Sequence, residues 1–380
     1  MRRHQDRSSD QAKRDSYNLL HPLSPESGSP FRYSKGVVVE RPIRGRDYPG
    51  SLAELLAWFP DDAACGDYLE WLRWPAGFVC PRCGAARGWR IGDGRWSCAG
   101  CARKVSVTAG TIFDGTRTPL TVWFQAAWQM TVQKNGISAL GLQRVLGLGS
   151  YQTAWAMLHR YRRAMIRPGR ERLAGIVEVD ETLVGGLTPG RKGRAVGAKA
   201  LVVVAVEQRD RGFGRCRLEL VGDVCAVTLG QFMVDNIMQG STVITDGWQG
   251  YRSATKGYTH QRVVVTGADA SALLPGVHRV ASLLKRWLLG THQGGVATTH
   301  LQDYLDEFTF RFNRRTSRAR GLLFFRLLEQ ATEHAPVRYR DLVVNPTIGN
   351  PRASNPVGAR SHPGTLALPA ADRPWRRPEP

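Results

Sequence analysis

Two acids stand where a β-sheet could bring them together. Asp180 lies in "VEVDETLVGG", after Ile176, Val177 and Val179, and Asp246 closes the β-rich run "STVITDG". Carboxylates at the ends of neighbouring strands can converge on two hard divalent cations about 3.5–4 Å apart, an arrangement suited to phosphodiester chemistry. Strand alternation puts Glu178 and Asp180 on one face and Glu181 on the other, so three acids crowd a strand that otherwise reads as buried. A buried acid needs a partner or a metal. Taken singly, Asp180 also suits an ion pair and Asp246 a turn. Taken together, they suit a metal site of the nuclease kind.

Four cysteines have metal spacing. Cys80 and Cys83, then Cys98 and Cys101, form two C-x-x-C pairs in "CPRCG" and "CAGCA", and two such knuckles complete a closed tetrahedral site for a structural Zn²⁺. "GWRIGDGRWS" fits between them as a β-ribbon turning at Gly92-Asp93-Gly94. Cys65, Cys216 and Cys225 lack such spacing and read as small apolar residues.

The elements that must position these groups follow from periodicity. "TPLTVWFQAAWQM" reads as a helix with a Thr118 cap, burying Trp123, Ala126, Ala127 and Met130. "ISALGLQRVLG", a glycine turn and "SYQTAWAMLHRYRRAM" have the outline of a helix-turn-helix, although a plain helical hairpin has the same pattern. On the first reading Tyr151, Gln152 and Thr153 face base edges while Arg160, Arg162 and Arg163 contact phosphates. Beyond Asp180 the order is β, β, β, α, β and then a helix, which suits a mixed sheet covered by helices. That last helix, "LPGVHRVASLLKRWLLGTHQGG", places Val280, Leu283, Leu284, Trp287 and Leu288 on one face and His278, Ser282 and Lys285 on the other. Its polar stripe is either a solvated surface or one side of a site.

Composition points to the partner. The 380 residues carry 53 Lys plus Arg against 32 Asp plus Glu, a formal charge of +21. With no apolar run of the ~20 residues that a spanning helix needs, and no secretory signal, double-stranded DNA is favoured over a membrane and a cytoplasmic location is expected. The basic loop "VGGLTPGRKGRAVGAKA" offers Arg191, Lys192 and Arg194 to phosphates, and Arg311, Arg314 and Arg315 extend the set. The expected organisation is a multidomain α/β chain. A disordered basic tail (1–47) precedes a zinc ribbon (48–112), a helical DNA-binding segment (113–168), a catalytic domain (169–342) and a second disordered tail (343–380).

The stretches "ISALGLQRVLGLGSYQTAWAMLHRYRRAM", "VEVDETLVGG", "VITDGWQGY", "LLKRWLLGTH" and "HLQDYLDEFTFRFNRR" lie between about Leu52 and Leu342. Together they resemble the bacterial insertion-sequence transposases of the ISXO-like kind. The resemblance implies an RNase H-like mixed sheet flanked by helices and a DDE-type site using Mg²⁺ or Mn²⁺. It also implies cleavage and strand transfer at element ends by at least a dimer, acting on the DNA of a bacterial nucleoid. It assigns Asp180 and Asp246 as the first two catalytic acids, and Lys285, with Arg286 beside it, as DNA contacts. The third acid of the pattern stands seven residues before the base, and His278 occupies that place here. Imidazole binds softer ions such as Mn²⁺ better than Mg²⁺. Asp303, Asp306 and Glu307 are the rival candidates. Two other readings stay open: a DNA-binding regulator with a vestigial transposase domain, and a zinc-stapled scaffold for other proteins.

Overall fold

The computed structural model describes residues 41–185, 199–264 and 274–343. Arg191, Lys192, Arg194 and both expected tails, apart from residues 41–47 and Val343, lie outside the described residues. Two capped helices come first, α1 (Leu52–Trp58) and α2 (Asp62–Arg73). Ser51 accepts from the Glu54 amide and Asp61 from the Ala64 amide, satisfying donors that a helix start leaves free. A small antiparallel sheet follows, β1 (Gly88–Arg90), β2 (Trp96–Cys98) and β3 (Lys104–Val105). Three helices come next: α3 (Leu120–Val132), α4 (Ala139–Leu146) and α5 (Tyr151–Ala164). The cap expected at Thr118 is not used, because α3 starts at Leu120 and the Thr121 amide donates instead to Asp62 Oδ1 on α2.

The larger sheet contains β4 (Ile176–Val184), β5 (Ala200–Gln208) and β6 (Phe213–Val221), then β7 (Thr242–Thr245) and β8 (Thr259–Arg262) after the helix α6 (Ala226–Asn236) and the short α7 (Tyr251–Ala254). Spatial order is β6-β5-β4-β7-β8. β4, β5 and β6 pair antiparallel, whereas β4–β7 and β7–β8 are parallel. A three-strand meander whose first strand then takes a parallel partner is the RNase H-like arrangement. β8 carries no strand signal in the sequence, because "THQR" is polar and mostly exposed, without apolar alternation.

Both faces of this sheet are covered, so β5 is buried along almost its whole length. On one face, Val202, Val204, Val206 and Leu218 meet Val280 and Leu284 of α8 (Pro275–His292) and Leu305 of α9 (Leu301–Phe312). On the other, Val177, Val179, Val203 and Ala205 meet Leu229 and Phe232 of α6 and Tyr251 of α7. Among the described residues, no helix is long and apolar enough to cross a membrane.

A third core joins α1 to α5 with α10 (Arg320–Glu333), through Tyr68, Trp123, Phe124, Tyr161 and Phe324. It runs across the expected boundary between 112 and 113 and recruits a helix from beyond the sheet. The short helix α11 (Tyr339–Val343) packs through Leu342 against Ala156 of α5.

Buried charge docks this helical core onto the sheet. Arg162 donates through Nε to Glu307 Oε2 at 2.8 Å, and Arg311 donates to Glu307 Oε1 at 2.9 Å. His159 Nδ1 lies 2.7 Å from Asp303 Oδ2, and Arg163 Nε lies 3.4 Å from Asp303 Oδ1. Backbone carbonyls add to the seam: Arg311 donates to Gln133 O, while Trp287 Nε1 and Thr291 Oγ1 of α8 both donate to Asn135 O, each at 2.9 Å. Gly136 (φ +69°) completes the fit, because a Cβ there would lie 2.6 Å from Arg311 Nη2 and 2.9 Å from Glu307 Oε1.

This seam corrects two expectations. Arg162 and Arg163 are 1% and 2% exposed and paired with acids, so they cannot serve as phosphate contacts. Asp303, Asp306 and Glu307 are equally buried, facing basic or amide partners, and do not supply a third catalytic acid. Removing one member leaves its partner charged and dry, which costs about 3–5 kcal/mol in buried pairs. Glu307→Ala is therefore expected to lose a large share of the unfolding free energy in urea titrations, whereas Glu171→Ala, at an exposed pair with Arg167, should change it by less than about 1 kcal/mol.

Candidate metal centres and nucleic-acid face

The four cysteines converge. One sulfur from each of Cys80, Cys83, Cys98 and Cys101 lies within 4.8 Å of the others. Cys80 and Cys101 are 3.8 Å apart and Cys83 and Cys98 3.5 Å, close to the ~3.8 Å between sulfurs that sit ~2.3 Å from a tetrahedral zinc. Both knuckles turn the same way. Gly84 donates to Cys80 O and Ala102 to Cys98 O, and both follow their second cysteine in left-handed backbone, φ +73° and +54°. The ribbon turns through Gly94 as its sequence suggests, with Arg90 opposite Trp96. These residues fit Zn²⁺. Cys65 and Cys216 are core residues, but Cys225 is exposed at the N-cap of α6.

The acids meet at a discontinuity in the large sheet. β4 pairs with β7 only from Ile176 to Glu178, yet runs on beside β5 as far as Val184. Beyond Glu178 its β7 side is an open edge among the described residues, and Asp246 emerges there, one residue past the end of β7. Carboxylate oxygens of Asp180, Glu181 and Asp246 all lie within 4.8 Å of one another. Alternation had placed Glu181 on the far face, and it does lie on the side of Tyr251, whose hydroxyl donates to Glu181 Oε2 at 3.1 Å. At an unpaired edge, side chains from both faces reach the same space, and period-two reasoning alone misses this.

Burial, then the charges of Glu181 and Asp246, push the Asp180 carboxyl from 3.8 up to about 7. A cation among the three removes that repulsion, so the donor set fits a hard divalent ion.

The helix carrying His278 and Lys285 is anchored beside this edge by Glu178. That carboxylate is fully buried on β4, accepts from the Val277 amide at 3.0 Å through Oε2 and from Gln208 Nε2 at 2.6 Å through Oε1. Gly276 permits the approach, since a Cβ there would lie 2.9 Å from Glu178 Oε2 and from the Phe213 ring. The first turn of α8 is thereby held against the residue two positions before Asp180. His278 follows Val277 directly and is exposed, as are Ser282, Lys285 and Arg286. His278 is not in the group formed by the three acids, which takes Glu181 instead. The apolar face of α8 is as expected, with Val280, Leu284 and Leu288 buried and Leu283 and Trp287 packed beside them.

Partial desolvation and the neighbouring Lys199 charge draw the Lys285 ammonium below its ordinary value, which places two cations together on this face. Lys199, the residue before β5, carries no signal in the sequence beyond its place in a basic loop. On the helical core, Gly147 in left-handed backbone ends α4, and α5 begins after Ser150. Tyr151 and Gln152 are exposed and Thr153 is half-buried. Gln152 and Thr153 line a cleft of about 380 Å³ with Arg117, Trp123, Arg160 and Tyr339. Arg160 is partly committed, donating through Nε to Val337 O at 2.8 Å. Arg311 and Arg315 bond backbone carbonyls, and Arg314 lies over the Phe310 ring, so these three brace the fold.

Two expectations follow. Because the Asp180 value in the folded chain lies above its unfolded value of 3.8, its contribution to stability is complete below that pH and is lost as pH rises through about 7. The unfolding midpoint of metal-free protein should contain a component that falls across this window; Asp180→Asn should remove it, and Mn²⁺ should raise the midpoint at the upper end. Glu178→Ala should free the first turn of α8, read as faster hydrogen exchange at the Val277 amide, while unchanged exchange there would mean that Glu178 is not the anchor.

Residues 60–104 match the transposase zinc-ribbon domain, and residues 172–313 match the ISXO2-like transposase domain. A protein in transposable element ISH50 of Halobacterium salinarum is 28% identical over 275 residues, covering 67% of this chain and 91% of that one. Among solved structures, the catalytic core domain of BIV integrase is 15% identical, with a TM-score of 0.27, over 38% of this chain and 87% of that one. The Mos1 strand transfer complex is 15% identical, with a TM-score of 0.26, over 55% of this chain and 73% of that one. By both matches, the chain is similar to a transposase zinc ribbon over residues 60–104 and to an ISXO2-like transposase domain over residues 172–313, and the sheet in the second stretch has the RNase H-like strand order.

Proposed function

We propose that the chain is a DDE-type transposase that cleaves double-stranded DNA at insertion-sequence ends and joins them to target DNA. The convergence of Asp180, Glu181 and Asp246 at the open edge of β4 carries this reading. Asp180 and Asp246 are the principal ligands for Mg²⁺ or Mn²⁺, Glu181 supplies a third carboxylate, and His278 stands at the position of the family's third acid. Bound divalent ions supply Lewis-acid activation of the attacking oxygen and stabilisation of the leaving one. The chain's own residues do the rest. Lys285, Arg286 and Lys199 neutralise phosphates beside the acids, and Glu178 keeps that cationic face in register with them. Tyr151, Gln152 and Thr153, in the first turn of α5, read the element end, with Arg160 bordering the cleft beneath them. Zn²⁺ on the four cysteines stabilises the ribbon. Joining two ends to one target requires at least two copies on DNA.

Asp180→Asn and Asp246→Asn are each expected to abolish cleavage and joining of element ends while leaving end binding within a few-fold of the parent. Lys285→Ala should lower the slope of log affinity against log salt by about 0.9. A parent chain that binds ends but never nicks them with Mg²⁺ or Mn²⁺ would instead be a regulator.

A further inference from the structure

Orphaned polar atoms concentrate at one place in the seam. Six buried side-chain nitrogen or oxygen atoms lack a hydrogen-bond partner among the described residues, and four of them belong to His159, Arg162, His292 and His300. These four side chains crowd around Tyr304 and one another. Arg162 lies 4.0 Å from the Tyr304 ring centroid, His292 4.8 Å and His159 5.4 Å, while His300 is 5.1 Å from His159. Buried polar atoms without a partner are costly, so this much unpaired polarity in one place calls for an occupant.

We propose that His159, His300 and Asp303 form a second transition-metal site, distinct from the ribbon and from the acids of the sheet, taking a Zn²⁺-like divalent ion. One ligand atom from each lies within 4.8 Å of the other two. His159 is fully buried, and its Nε2 is one of the orphans; Nδ1 of the same ring is the atom 2.7 Å from Asp303 Oδ2. A divalent ion held between Nδ1 and that carboxylate would take the place of their hydrogen bond, with His300 as the third ligand. His300 Nδ1 is orphaned as well, and its side chain is half-buried on the short 3-10 turn Thr298–His300, giving the site a route to solvent.

Two imidazoles with one carboxylate suit Zn²⁺, Ni²⁺ or Co²⁺ and leave a position for water, whereas Mg²⁺ prefers oxygen alone. The nearby guanidiniums are balanced. Counting the Asp303 ligand itself, Arg162, Arg163 and Arg311 are matched by Asp303, Asp306 and Glu307, so the group is formally neutral before the ion binds. It would cross-link α5, which carries Tyr151 to Thr153, to the helix that follows His300 over the catalytic sheet. Orientation of the end-reading helix would then depend on metal.

The test is metal content of the full-length chain after equilibrium dialysis with Zn²⁺, with Asp180→Asn and Asp246→Asn in place so that the acids of the sheet do not compete. Two equivalents per chain are expected, falling to one in His300→Ala and in Asp303→Asn. With Co²⁺, the equivalent lost should be the one that adds weak visible bands without adding to the near-ultraviolet thiolate band of the ribbon. His300→Ala is the milder variant, because its side chain is half-exposed, and retention of the thiolate band reports that the chain is folded. One equivalent in the parent, or two in both variants, overturns the proposal.

Discussion

The structure turns on a charge-for-charge seam between α5 and α9. Arg162, Arg163 and His159 on one helix face Glu307 and Asp303 on the other, all with almost no exposure. Ion pairs in such a place contribute little net stability, because desolvation consumes most of the Coulomb gain. They do make alternatives costly, since any slip of α5 along α9 strands charges in an apolar interior. A hydrophobic contact tolerates sliding by a turn, whereas this one has a single low-energy register. The helical core and the RNase H-like sheet are thereby set at one mutual orientation, with the exposed first turn of α5 fixed relative to the acids at the edge of β4.

A second constraint acts inside the sheet. Glu178 and Asp180 share a strand face but have opposite fates: one is spent on holding the start of α8, the other is left with like-charged neighbours. The anchored acid is what gives the other a defined environment. Where β7 stops, β4 runs on beside β5 alone among the described residues, and three carboxylates come together there. The acidic cluster thus arises where a strand partner stops, next to a carboxylate that accepts a hydrogen bond on each oxygen.

Much of this was legible beforehand. The paired C-x-x-C spacing, the apolar face of α8 and the acids at Asp180 and Asp246 each follow from local pattern, because turns, helical periodicity and strand ends are local properties. What was not legible depends on elements distant in the chain. Glu181 joins the acids only because β7 is shorter than β4, and no strand pattern reports the length of a neighbour. Arg162 and Arg163 look like a basic helix end, which is how solvent-facing phosphate contacts look, and only the acids of α9, some 140 residues away, reveal them as buried. Lys199 acquires meaning from its proximity to Lys285, across a gap that sequence does not measure.

The link from α8 to the helical core has a different character. Trp287 and Thr291 both end on the carbonyl of Asn135, a main-chain atom that every amino acid possesses. Substitution at residue 135 therefore leaves the acceptor in place, and drift there has no structural cost through this contact. A change in the number of residues between α3 and α4 moves the acceptor itself. The loop is thus constrained in length while free in composition, so any exchange of the helices that follow it has to preserve the residue count of that connector, whatever letters it carries.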